Sequence, residues 1–206
     1  IGRNRRAAGR IARLAGTVLL LGATAVATAC GDGPDAPPTA TPTASGSTNV
    51  TDGVFTAADL IPDLRSDGFV RVESGRPPGA AANQDVHFAI FSGDPPIVAV
   101  RLETNVIPEV AQASSQFSSL ADALRNPPPD LFGPNATQAN FEPAYQGDQS
   151  RSYVTTRPDA QGNLVYTDIH RFGRAIVIIY VISSDADAAL ELREQLALWI
   201  ESKVED

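Results

Sequence analysis

Ala175-Ile176-Val177-Ile178-Ile179-Tyr180-Val181-Ile182 is the stretch whose reading decides the fold. A strand with one wet face alternates apolar and polar side chains, and this run does not. It therefore reads as a central strand with both faces covered. Gly173 marks a tight turn just before it. On the far side of that turn Leu164–Phe172 reads as a second strand, and Ser150–Thr156 as a third. Beyond the run, Ser184 stands as an N-cap with Asp187 three residues on, a capping-box pattern with Asp in place of Glu. Ala189, Leu192, Leu196, Trp199 and Ile200 then step by three or four, as the buried stripe of a helix does.

Upstream, Ala57–Leu64 reads as a short helix containing Pro62, and the turn former Asp67-Gly68 leads into a strand at Phe69–Glu73. Val86–Phe91 and Ile97–Glu103 form an antiparallel hairpin through Ser92-Gly93-Asp94-Pro95-Pro96. The apolar positions Val110, Ala113, Phe117, Leu120 and Leu124 then predict a helix that stops at Asn126, ahead of Pro127-Pro128-Pro129. The expected class is α+β, a mainly antiparallel sheet of about six strands flanked by two long helices. No period recurs along the chain, so it is not a repeat protein.

The Asp59-Leu60-Ile61-Pro62 opening, the Arg171-Phe172-Gly173-Arg174 hairpin running into an apolar strand, and the C-terminal helix carry a resemblance. Over residues 55–204 the chain resembles the PsbP-like family, which includes photosystem extrinsic subunits and LpqN-type lipoproteins of actinobacteria. That resemblance implies an α/β/α sandwich and a binding or assembly role. It supplies no motif residues to carry over.

The N-terminal part reads as an address. Arg3, Arg5, Arg6, Arg10 and Arg13 precede an uncharged run from Leu14 to Ala29 centred on Val18-Leu19-Leu20-Leu21, the order of a secretory signal at residues 1–29. The 18 uncharged positions between Arg13 and Asp32 are at the short limit for spanning a bilayer. Cys30, the one cysteine of the chain, follows Ala27-Thr28-Ala29 directly. This resembles the lipobox of bacterial lipoproteins, with Ala27 where that family usually has Leu, and it implies a lipid on Cys30. The same small residues satisfy the ordinary cleavage rule, which would release a secreted protein instead. With a single cysteine there is no intramolecular disulfide.

Residues 30–51 read as a tether. From Gly31 to Thr51, 17 of 21 residues are Pro, Thr, Ala, Ser or Gly, too little apolar surface to offset the entropy of ordering. Residues 52–206 are left as a single globular domain. Removing residues 1–29 takes five of the 16 basic groups and none of the 24 acidic ones, so 11 face 24 and the net charge is −13. Such a surface argues against nucleic acid and against docking on anionic lipid by charge. The anchoring then falls to the lipid, which holds stably when it brings two or more chains.

Catalytic signatures are sparse. Only His87 and His170 are present, and Asp168 and His170, two apart on one strand, share a face without a nucleophile-elbow motif beside them. An i, i+2 pair of this kind is ordinarily a solvated polar pair, so no catalytic residues, metal ligands or cofactor are expected. Two distant histidines do not make a zinc site, and Asp185 and Asp187 are explained by a helix N-terminus. The Pro-rich segment 126–149 carries Phe132, Phe141 and Tyr145, and long segments with aromatic side chains are candidate binding surfaces. Alternatively these rings pin the crossover to the core. The leading expectation is a monomeric, lipid-anchored, non-catalytic extracytoplasmic domain that binds a partner protein or an apolar ligand. The alternatives are a lipid-anchored hydrolase using His170 and Asp168, and a structural envelope protein.

Overall fold

The computed structural model describes residues 55–125, 132 and 136–205. The signal at 1–29, Cys30, the tether at 30–51, the domain start at 52 and the helix stop at Asn126 lie outside the described residues. A seven-stranded, wholly antiparallel sheet forms the body: β1 (Val70–Gly75), β2 (Asp85–Ser92), β3 (Ile97–Val106), β4 (Gln138–Phe141), β5 (Gln149–Thr155), β6 (Leu164–Phe172) and β7 (Ala175–Ser183), in the order β1-β2-β3-β7-β6-β5-β4. Helix α1 (Val110–Arg125) follows β3, and helix α2 (Ala186–Glu205) follows β7. The class expected from the sequence is the class observed, with seven strands in place of about six.

β7 occupies the middle of the sheet, and its lack of alternation has the expected cause. Val177, Ile179 and Val181 pack with Leu192, Leu196 and Ile200 of α2. Ile176, Ile178 and Tyr180 pack with Ala113, Phe117 and Leu124 of α1. The two helices thus lie on opposite faces of one strand, and each buried Leu or Ile contributes about 1.5–3 kcal/mol relative to exposure. Along α1 the stripe runs through Ala113, Phe117, Ala121 and Leu124. Val110, read as part of it, is half exposed at the first turn.

Three local expectations are corrected. Residues 57–60 form turns, and a 3-10 helix spans Leu64–Asp67 where a helix at Ala57–Leu64 was expected. Asp59 accepts hydrogen bonds from the backbone N–H and hydroxyl of Thr56, and Asp63 caps the 3-10 helix, so side chains compete with helix formation throughout. The additional strand is β4, inside the segment expected to be irregular. It forms because β5 offers it an open edge, pairing Gln138 with Thr155 and Phe141 with Ser152. The N-cap of α2 is Asp185, whose Oδ1 accepts from the N–H groups of Asp187 (2.9 Å) and Ala188 (3.1 Å). Ser184 stands one residue outside the helix start.

A buried polar row under an aromatic rim

Antiparallel pairing sets residues of equal facing side by side. Ser150 lies opposite His170 and Ser152 opposite Asp168 on β5 and β6, and Asp168 lies opposite Ile179 on β7. Ile179 belongs to the core beneath α2, so all four polar side chains point to the α2 face. From above, α2 contributes Arg193 on its buried stripe. Asp168, His170 and Arg193 have no exposed surface. The expectation that Asp168 and His170 form a solvated pair is therefore corrected, because α2 and the chain leading into β5 cover this part of the sheet.

The contacts are directional. Arg193 Nη1 donates to Asp168 Oδ1 at 2.6 Å, and its Nε donates to the Ala189 carbonyl one turn back at 3.1 Å. The Ser152 hydroxyl donates to the same Oδ1. The other carboxylate oxygen, Oδ2, lies 3.7 Å from His170 Nε2. His170 Nδ1 is 3.0 Å from Ser150 Oγ, which accepts the Gly147 N–H at 3.0 Å. Burial pushes the Asp168 carboxyl up, but the imidazole of His170, the Arg193 charge and the Ser152 hydroxyl outweigh it and hold the group below the usual carboxylate range. Asp168 Oδ2, His170 Nε2 and Arg193 Nη2 are buried without a hydrogen-bond partner.

Two of the three aromatic side chains singled out from the sequence, Phe141 and Tyr145, lie on this side of the sheet. Phe141 on β4 sets its ring edge-on to Tyr166 at 5.8 Å, and the two rings flank the Arg193 guanidinium at 5.3 and 5.4 Å. At 39% exposed, Phe141 is also the most open aromatic ring of this face. Tyr145 lies 6.3 Å from the ring of Phe172, which stacks on His170. Phe132 is not with them: it packs 6.2 Å from Tyr180, on the α1 face. The expected surface of three aromatics is thus divided between the two sides of the sheet.

Residues 142–148 form a strap across the outer end of the row. The Tyr145 hydroxyl donates to Glu201 of α2, and this acceptor pushes the phenol up to about 12. Asp148 Oδ2 accepts from Arg171 Nη1 at 3.1 Å and from the Gly173 N–H at 2.7 Å. Gly147 fits so closely that a Cβ there would stand 2.8 Å from the Arg171 carbonyl oxygen and from the Phe172 ring. Only glycine lets the strap approach that far.

A second buried pair lies on the α1 face, where Arg101 reaches Glu103 at 2.7 Å and sits over the Phe88 ring at 5.7 Å. Burial pushes Glu103 up, against the pull of Arg101. His87, the other histidine, points to the α2 face at β2, opposite Thr104, away from the Asp168 row. Among the described residues no group of three or more His, Cys, Asp or Glu side chains is arranged to hold a metal ion.

No protein-family model matches the sequence. No curated protein matches it either. Among solved structures, the extracellular domain of PknH from Mycobacterium tuberculosis has the same fold, with a TM-score of 0.51 and 11% sequence identity over 77% of this chain and 98% of that one. At that identity the likeness is one of fold.

Proposed function

We propose that this chain is an extracytoplasmic protein, anchored through a lipid on Cys30, whose folded body is a binding module for an apolar ligand or partner at the Phe141–Tyr145 rim. The observation that carries the binding site is the half-open Phe141 ring, packed against Tyr166 and over Arg193 at the sheet margin. Aromatic rings held on a rigid support contribute disproportionately to recognition, because little entropy is lost when they are engaged. The address rests on the basic leader, its uncharged run and the cysteine behind Ala27-Thr28-Ala29. It is supported by the extracellular setting of the PknH domain that shares the fold. No helix among the described residues is long and apolar enough to cross a membrane. A sheet flanked by helices is also the architecture that the PsbP-like resemblance implies, and the binding or assembly role comes from that resemblance alone.

Two measurements test the two halves. For the anchor, protein made in a bacterial host is partitioned into detergent and weighed intact, wild type against Cys30→Ala. Detergent-phase wild type carrying the mass of an acylated cysteine, with both properties lost in the variant, is the expected result. Unmodified wild type in the aqueous phase overturns the anchor. For the rim, the probe is 1-anilinonaphthalene-8-sulfonate, whose fluorescence rises in apolar sites. Enhancement by folded wild type that falls in Phe141→Ala supports the rim, and equal signals from both proteins remove it.

A further inference from the structure

The polar row has an order that its burial alone does not explain. Replacing a buried ion pair by apolar side chains of similar volume is often neutral or stabilising, so such pairs are weak contributors to folding. Here the pair is also left with two unsatisfied buried atoms, Asp168 Oδ2 and Arg193 Nη2, and the neighbouring His170 Nε2 is a third, each a cost that native interiors ordinarily avoid. Arg193 and Ser152 both hold Asp168 by Oδ1, which leaves Oδ2 toward His170. Facing a carboxylate, Nε2 carries the imidazole proton, since the other tautomer would set a lone pair against the anion. Nδ1 is then the acceptor, and the Ser150 hydroxyl donates to it. A nucleophile and a base thus stand at hydrogen-bonding distance, with a carboxylate oxygen 3.7 Å beyond the base, the sequence of groups that activates a serine, with the two ring nitrogens exchanged relative to the usual order. All three groups are buried, Ser150 the least of them at 7% exposed, so a substrate reaches the hydroxyl by displacing what covers it.

We propose that Ser150 is an activated nucleophile that accepts the acyl group of an apolar carboxylic ester when residues 142–146 of the strap lift, Gly147 and Asp148 staying on the sheet through the bonds of Asp148 to Arg171 and Gly173. Its Oγ attacks the ester carbonyl carbon as its proton passes to His170 Nδ1. The Gly147 N–H, now bonded to Oγ, is placed to turn to the carbonyl oxygen as that oxygen gains charge. Collapse of the adduct breaks the bond to the alcohol oxygen, which leaves with the proton from His170. The acyl-serine is then hydrolysed when water gives a proton to Nδ1 and its oxygen to the carbonyl carbon, restoring Ser150 and releasing the carboxylic acid. The preference for an apolar ester rests on the proposed binding rim, where Phe141 lies over Arg193 and Tyr145 beside Phe172 on the same side of the sheet. The reactivity of Ser150 does not rest on it.

The experiment is active-site labelling of the full chain by an alkyl fluorophosphonate, which phosphonylates activated serines with loss of fluoride, read by intact mass and peptide mapping. Wild type is compared with Ser150→Ala, His170→Gln and Tyr145→Phe, each checked for a cooperative thermal transition. The expected result is a single adduct on Ser150, absent from Ser150→Ala and His170→Gln. Labelling should be about fivefold faster in Tyr145→Phe, since the strap has lost one hydrogen bond to α2. An unmodified Ser150 in both wild type and Tyr145→Phe overturns the proposal, as does labelling that persists in a folded His170→Gln. Wild type and Tyr145→Phe decide the matter even if the buried substitutions prevent folding. Labelling without dye binding at the rim keeps the nucleophile and removes the apolar preference; dye binding without labelling does the reverse.

Discussion

Asp168 shows how one side chain ties the C-terminal helix to the sheet. Its charge balances Arg193 where neither group reaches water. Removing one member of such a pair leaves the other uncompensated and costs about 3–5 kcal/mol. Asp168→Asn keeps the shape and can still accept hydrogen bonds, so the expected loss at neutral pH is about 3 kcal/mol, at the lower end of that range, measured by urea denaturation. The pH dependence follows from the depressed carboxyl value. The stability that ionised Asp168 contributes is fully present above the unfolded-state value of about 4, and it is lost as pH falls through the lower folded-state value. Melting temperatures between pH 2 and 5 should therefore drop more steeply in wild type than in Asp168→Asn. Parallel curves and equal urea midpoints would mean that the pair carries no net stability. Part of this residue-scale picture was legible in the sequence: Asp168 and His170 were placed on one face of one strand. The burial of that face was not, although Arg193 offered a signal, lying four residues after Ala189 and three before Leu196 on the apolar stripe of the helix. An arginine at a core position needs a buried acceptor, and Asp168 is the acid that the facing strand supplies. Ser150 was missed because its pairing with His170 depends on strand register, which residues 20 apart do not disclose.

At the scale of elements, the apolar periods were readable and the ends were not. β7 and the stripe of α2 follow from side chains that have nowhere to go but inward. The start of α2 depends instead on which oxygen reaches two backbone N–H groups, and Ser183, Ser184 and Asp185 are all capable residues. The structure gives the cap to Asp185, while Ser183 accepts the Asp185 N–H at 3.0 Å and fixes the entry into the helix. Asp185→Ala should cost about 1 kcal/mol, and Ser184→Ala only a few tenths at its exposed position. The comparison is made by denaturant midpoints at pH 7, and an equal or larger loss in Ser184→Ala would return the cap to Ser184. β4 escaped the sequence for a different reason. Gln138-Ala139-Asn140-Phe141 alternates polar and apolar side chains over four residues only and contains no β-branched residue, a signal too short to stand out, so its strand character comes from the hydrogen bonds of the β5 edge. That pairing also carries Phe141 to the rim, whereas Phe132, nine residues earlier, lies against Tyr180 on the opposite face. Spacing along the segment could not separate them, because the division of sides depends on where the chain crosses the sheet margin.

For the whole molecule, charge and the proposed anchor make separable demands. With residues 1–29 removed, the chain carries a net charge of −13, so an anionic bilayer repels it. A positively charged face would strengthen attachment as anionic lipid is added, with each basic group near the surface worth about 1 kcal/mol. An acyl anchor behaves differently, since its free energy comes from methylene groups entering hydrocarbon at about 0.8 kcal/mol each. With the proposed anchor, two chains of ordinary length would exceed the repulsion met by a body joined through the proposed tether, because that repulsion decays over a Debye length of about 8 Å at physiological salt. Acylated wild type should therefore float with neutral phosphatidylcholine vesicles and with vesicles containing one part in three of phosphatidylserine to similar extents at 0.15 M salt, and Cys30→Ala should float with neither. Lowering the salt extends the repulsion, so any change in wild type should weaken binding to the anionic vesicles and leave the neutral ones unaffected. Flotation of Cys30→Ala with anionic vesicles alone would place the membrane contact on the protein surface and remove the lipid from its proposed role.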